Sequence, residues 1–259
     1  MEDFVSYATQ YLVPLVPLVF ALTALSQLVL GLLSRMGKKP KIEVYPAGNI
    51  EIGFSQHGPT VALFGTLRAQ NTDAFIAKME IALKQPEHNL CRVLEWRAFK
   101  PYTFGLLPDD DVELELTSAF LLGTKAPFKY NVVFVDDPFL TEYAPQVLQV
   151  KTLWTQYVQD SSAQDVPLQT LFGAFVKTEE AQAILGKLTN ASYWNAGTYT
   201  LDMRIQSSQP TKVHTTSFQF TLSPEQADIL RGNIIKILQL VCGLDVTCQY
   251  VYPEYQTRK

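Results

Sequence analysis

The chain has 259 residues, 47% of them hydrophobic, and 21 Lys and Arg stand against 25 Asp and Glu for a formal net charge of −4. That balance argues against a nucleic-acid binder, because a phosphate backbone is met by a basic surface. Cys91, Cys242 and Cys248 make an odd count with no CxxC pair, which fits neither a disulfide framework nor a structural zinc site.

Residues 1–10 are a short tail carrying Glu2 and Asp3 and no base. Residues 11–33, YLVPLVPLVFALTALSQLVLGLL, then run without one charged side chain. A bilayer core of about 30 Å needs about 20 apolar residues in a helix, so a transmembrane helix is expected over 11–34. A cleaved signal peptide fits less well, since its n-region would be basic and its apolar core shorter. Thr23, Gln27 and Gly31 recur every four residues, which makes them candidates for a helix–helix interface: small residues let backbones approach, and an amide gains by bonding to a partner. The basic segment 35–41 follows with Arg35, Lys38, Lys39 and Lys41. Positive charge is retained on the cytoplasmic side, so the N-terminus is expected outside and residues 42–259 in the cytoplasm.

Removing the four basic and two acidic residues up to Lys41 leaves 17 bases against 23 acids, a net of −6 for a soluble, β-rich segment large enough to bury its own core. Its first part, 42–135, reads as strands. Ile50, Ile52 and Phe54 alternate with Asn49, Glu51 and Gly53, and Val61, Leu63, Gly65 and Leu67 follow a Gly58-Pro59 turn. Asn71-Thr72-Asp73 predicts a hairpin turn into the next strand. There Phe75, Ala77, Met79, Ile81 and Leu83 are expected on one face, with Lys78, Glu80 and Lys84 on the other. Residues 90–99 are apolar without a clean period, Glu113 and Glu115 alternate with Val112, Leu114 and Leu116, and 130–135, YNVVFV, predicts a central strand.

After Asp136-Asp137-Pro138 the period becomes helical. Val147, Val150, Leu153, Trp154, Tyr157 and Val158 share one face, and Leu168, Leu171, Phe172, Phe175 and Val176 another, behind an Asp165 cap with Pro167 in the first turn. Thr178 with Glu179 and Glu180 starts a third helix, giving a helical insertion at about 140–190. Alternation returns over Tyr199 to Ile205 and again over Phe218 to Leu222, which is a hairpin. Gly197-x-Tyr199 at its start suggests the tyrosine corner of immunoglobulin-like sandwiches. Ser223-Pro224-Glu225-Gln226 combines an N-cap, a first-turn proline and a capping box, and Ala227, Leu230, Ile234, Ile237, Leu238 and Val241 make an apolar stripe that Gly243 ends. Val246, Cys248, Tyr250 and Tyr252 predict one last strand. The expected architecture is a membrane-anchored α+β protein: one transmembrane helix, then a mainly antiparallel β-sandwich, with a helical insertion and a C-terminal amphipathic helix.

Catalytic chemistry is thinly represented. No nucleophile elbow, phosphate loop, dinucleotide fingerprint or HExxH motif occurs, and His57, His88 and His214 are separated in turns and strands. Asp109, Asp110, Asp111, Asp136 and Asp137 lack the alternating spacing of a calcium loop. No catalytic residue, cofactor or metal is assigned. The function expected is a single-pass, non-enzymatic interaction or scaffolding protein that binds a protein partner at the lipid bilayer or associates through its transmembrane helix. The alternative is a tethered enzyme with a site built from the scattered Asp and His residues, which would require at least two of them to meet in one pocket.

Overall fold

The computed structural model describes residues 23, 25–31, 39–100, 115–161, 166–208 and 211–258. Most of the apolar run 11–33 therefore lies outside the described residues, as do Arg35, Lys38, Asp109, Asp110, Asp111 and Asp165. Thr23 and residues 25–31 are helical and exposed. Among the described residues no helix is long and apolar enough to cross a membrane.

Ten strands follow: β1 (Lys41–Ser55), β2 (Gly58–Gln70), β3 (Ala74–Gln85), β4 (Leu90–Phe99), β5 (Glu115–Leu116), β6 (Phe120–Leu122), β7 (Phe128–Val135), β8 (Gly197–Ser208), β9 (Thr211–Leu222) and β10 (Tyr255–Thr257). The helices are α1 (Asp137–Asp160), α2 (Leu168–Phe175) and α3 (Glu179–Ala191), inserted between β7 and β8, and α4 (Pro224–Val241) after β9. All the strands pair antiparallel in one sheet ordered β1-β2-β7-β4-β3-β8-β9-β10, with β5 beside β4 and β6 beside β3. The antiparallel β architecture, the helical insertion and the C-terminal helix are thus as the sequence predicts. The strands form one sheet that curls until its ends meet, so that opposite walls face each other across a common core as the two layers of a sandwich do. Residues just before β10 close the ring: Ile52 N–H donates to Val251 O (2.9 Å), Val251 N–H to Ile52 O (3.0 Å), and Ile50 N–H to Pro253 O (3.2 Å). Closure removes the free edges that would otherwise invite pairing with another chain.

The inner wall carries Ile50, Ile52, Phe54, Val61, Leu63, Met79, Ile81, Leu201, Met203, Phe218 and Phe220, all fully or nearly fully buried. Two β-bulges shift the face that the alternation assigns. The pairing of β3 with β8 slips between Ile76 and Lys78, so Ile76 points in while Phe75 and Ala77, expected in the core, are exposed. One extra residue flips everything before it to the opposite face. A second slip between Trp96 and Ala98 explains the missing period of β4: Trp96 faces the core, and Ala98 pairs with Val133 on the outer wall. The turn at residues 71–73 forms, with Asn71 in the left-handed region at φ 73°. It joins no hairpin, because β7 and β4 lie between β2 and β3. Instead it stitches one end of the barrel, Asn71 Nδ2 donating to Lys39 O (3.2 Å) and Asp73 Oδ1 accepting from Thr124 N (2.7 Å).

Helix starts follow their caps. Asp136 caps α1 by accepting from Phe139 N (3.1 Å), so the helix starts well before Val147, the first residue of the apolar period. Thr178 caps α3, and Ser223 with Gln226 forms the reciprocal capping box of α4. Helix α2 begins at Leu168 with Pro167 as its N-cap and no side-chain cap bond. At the end of α4, Gly243 adopts φ 81°, and its amide and that of Leu244 bond back to Leu240 O and Gln239 O, a Schellman close. The apolar stripe of α4 contains one polar member, Asn233, which is fully buried. Its amide donates to Gln249 O (2.7 Å) and accepts from Gln249 N (2.9 Å), as a strand neighbour would. That clamp holds residues 244–250 along α4, where a strand is expected. The isolated bridges at Val251 and Glu254 and the short β10 follow it. Tyr199 bonds its hydroxyl to the backbone at Asn195, accepting from N and donating to O (2.8 Å each), and stacks on Phe220 (5.0 Å). This is the local bond pattern of a tyrosine corner.

Candidate functional site

Strand register places Glu51, Ala62, Val133 and Ala98 in one row across β1, β2, β7 and β4 on the outer wall, with Gly53, Thr60, Val135 and Glu95 in the next. Most outer faces of such a sheet meet water. This one is covered. Leu240 of α4, Val246, Thr247, Cys248 and Tyr250 of the clamped segment, Leu140 of α1 and Leu116 of β5 roof it, leaving a cleft of about 620 Å³. Gly53 makes the close approach workable: a Cβ there would lie 2.5 Å from both Tyr250 Cε1 and Thr60 Oγ1.

The floor of the cleft holds an ion pair. Lys100 Nζ donates to both Glu51 oxygens, at 2.8 and 3.0 Å, and sits 5.3 Å from the centre of the Tyr250 ring. Glu51 is only 4% exposed, although strict alternation assigns it to solvent. A carboxylate is driven under cover only when a cation or hydrogen bonds replace its water, and here a cation supplies both. Ala98 and Gly53 are small enough to leave the pair its room. Gln56 and His57 at the β1–β2 tip and Arg97 line the same cleft. The Arg97 guanidinium is held by both carboxylate oxygens of Asp137, with Nε to Oδ1 at 2.9 Å.

The other described Asp and His candidates stand apart. Asp136 is buried as the cap of α1 and accepts a second bond from Tyr193 Oη (3.2 Å), whose ionisation burial and this carboxylate push well up. His88 is exposed at the end of a short 3-10 turn. His214 faces inward on β9 opposite Ile205, as the strand period predicts. Its Nδ1 accepts from Ile42 N (3.5 Å), and burial followed by Lys212 lowers its pKa. Of these groups only His57 lines the cleft. Among the described residues no three His, Cys, Asp or Glu side chains gather as a metal site. The three cysteines are unbridged.

Thr23, Gln27 and Gly31 lie on the described helical stretch, all exposed, and Thr23 O accepts from Ser26 Oγ (2.8 Å). Lys39 and Lys41 are exposed at the entrance to β1, and Lys41 pairs with Glu43 (3.3 Å). Sequence reasoning missed Glu51 and Lys100 because neither sits in a motif. The readable signal was the apolar segment 246–252, which has to cover some surface. Comparison with known proteins returns no matching family model, no matching curated protein and no matching solved structure.

Proposed function

We propose that the protein is a single-pass, membrane-anchored binding module without catalytic activity, whose barrel presents the outer-wall cleft to a protein partner in the cytoplasm. The observation that carries the module over an enzyme is that no two of the described Asp and His candidates meet in the cleft: Asp136, Asp137 and His214 are held in separate structural bonds, His88 is exposed elsewhere and His57 alone lines the cleft, whose ion pair is already neutralised on its floor. An apolar groove with a few convergent polar groups suits recognition of a partner segment. The anchor is supported by the exposed Leu25, Leu28, Val29 and Leu30 on the helical stretch, an apolar surface that the described part of the chain does not bury. Thr23, Gln27 and Gly31 give this helix a face for self-association or for a second transmembrane helix.

A photo-crosslinker at Thr117 in the full chain tests the module. Discrete adducts in native membranes, lost when Thr247→Arg fills the exposed lip of the cleft, are expected. Adducts unchanged by Thr247→Arg would refute the cleft as the binding surface. Labelling of Ser6→Cys in intact cells by an impermeant thiol reagent tests the orientation, and protection there with labelling in 42–259 reverses it.

A further inference from the structure

Strand directions give the barrel two unlike ends. The β1–β2 tip, the helical insertion and α4 all sit at one end. Among the described residues the other end collects the start of β1, the 71–73 turn, the 123–127 connection into β7, and the paired Ser208 and Thr211 of the β8–β9 hairpin, with the C-terminal end of β4 running toward it. It is also the end from which the chain leaves toward its apolar N-terminal run.

This end carries the wrong residues for a water-facing rim. Phe75, turned outward by the bulge in β3, pairs directly with Leu121 of β6; they are 41% and 65% exposed, and Val213 at the start of β9 is 54% exposed. Around them Arg68, Lys125, Lys129 and Lys212 are exposed, and no ion pair within the described residues holds any of the four. Lys39 and Lys41 extend the same rim. Its acids among the described residues are Glu43, which faces Lys41, and Asp73, which is used by the Thr124 amide. Among the described residues of this rim six bases stand against two acids, the opposite sign to the net −6 of the segment.

We infer that this end of the barrel is a membrane-contact surface for anionic lipid headgroups, with Phe75, Leu121 and Val213 entering the interface and Arg68, Lys125, Lys129 and Lys212 meeting the phosphates. The inference rests on the anchored reading for its geometry. From residue 33 to Lys39 the chain has six links, at most roughly 20 Å fully extended, so an anchored helix holds the rim against the bilayer. Each basic contact is individually weak, but tethering makes docking intramolecular and therefore effective. Exposed aromatic and aliphatic side chains ringed by lysine are the composition that settles at a bilayer interface. Docked this way, the barrel directs the cleft's tip residues Gln56 and His57 away from the lipid.

The test uses the full chain in vesicles, with an environment-sensitive thiol reporter either at Leu121→Cys, with Cys91 and Cys248 replaced by serine, or at the native exposed Cys91 of the far end, with Cys248 replaced. In phosphatidylserine-containing vesicles the Leu121 reporter is expected to emit at shorter wavelength and to be quenched by iodide several-fold less than the Cys91 reporter. The triple variant Lys125→Glu, Lys129→Glu, Lys212→Glu is expected to restore quenching, as are vesicles of phosphatidylcholine alone. Equal quenching at the two positions, in a chain that resists carbonate extraction, overturns the rim and leaves the anchor standing. Protection that is the same in neutral vesicles overturns the anionic headgroup as partner. Carbonate-extractable protein whose Leu121 reporter is still protected on anionic vesicles supports the rim and sinks the anchor.

Discussion

Replacing Asp136 by alanine should be among the most damaging single changes outside the apolar core, because one carboxylate ties both ends of the helical insertion. Its Oδ1 caps α1 at Phe139, and its Oδ2 takes the hydroxyl of Tyr193, two residues beyond α3. The residue is 1% exposed, so water does not substitute freely. Loss of an N-cap costs about 0.5–2 kcal/mol. Leaving the buried Tyr193 hydroxyl without its acceptor costs about 1–3 kcal/mol. Asp136→Ala should therefore lose about 2–4 kcal/mol. Tyr193→Phe removes the donor of the buried Asp136 Oδ2 but keeps the cap of α1, and should lose about 1–3 kcal/mol. The double variant should be less damaging than the sum of the two, by about 1 kcal/mol, since the stranded hydroxyl is gone. Urea unfolding of the full chain in mild detergent, followed by tryptophan fluorescence, measures all three, with Trp194 next to the joint. A loss below about 0.5 kcal/mol for Asp136→Ala, or strict additivity in the cycle, would refute the idea that this carboxylate closes the insertion.

Two further outcomes follow from the site and the seam. Glu51→Gln or Lys100→Met alone should cost about 3–5 kcal/mol by leaving the other charge buried and unpaired, while the double replacement recovers most of it; urea midpoints that fall further in the double variant would contradict this. His214 has a folded pKa below its ordinary 6.5, so the unfolded chain binds the proton first, and the stability it contributes is complete above pH 6.5 and lost as pH falls through the lowered value. Thermal midpoints should drop between pH 7.5 and 5.5 by more in the native chain than in His214→Gln, and identical pH slopes would remove His214 from the β1–β9 seam.

Elements whose signals are local were legible in the sequence. The capping box of α4, the Thr178 cap and the β8–β9 alternation each depend on residues within a few positions of one another, so the chain displays them without its fold. What depends on neighbours far along the chain was hidden. The bulge at Ala77 is a shift in the register of β3 against β8, about 130 positions on, and no feature of residues 74–85 announces it. Glu51 reads as a solvent-facing strand residue until Lys100, 49 positions away, and Tyr250 are brought over it. The 71–73 turn was recognised as a turn but misjudged as a hairpin, since turn chemistry specifies a local backbone shape and leaves open which strands lie side by side. The cleft itself belongs wholly to this hidden class: its walls come from eight separate elements and segments.

The seam between Ile52 and Val251 also orders events in time. These partners are 199 residues apart (251 minus 52), so β1 emerges from the ribosome long before the segment that closes against it has been made. At about 5–20 residues per second the wait is roughly 10–40 s, during which β1 has β2 on one side and an open hydrogen-bonding edge on the other. Residues 251–257 therefore act as a release signal as much as a structural element, and a nascent chain stalled before them would carry two unpaired edges, β1 and β9, into an environment crowded with other unfinished strands.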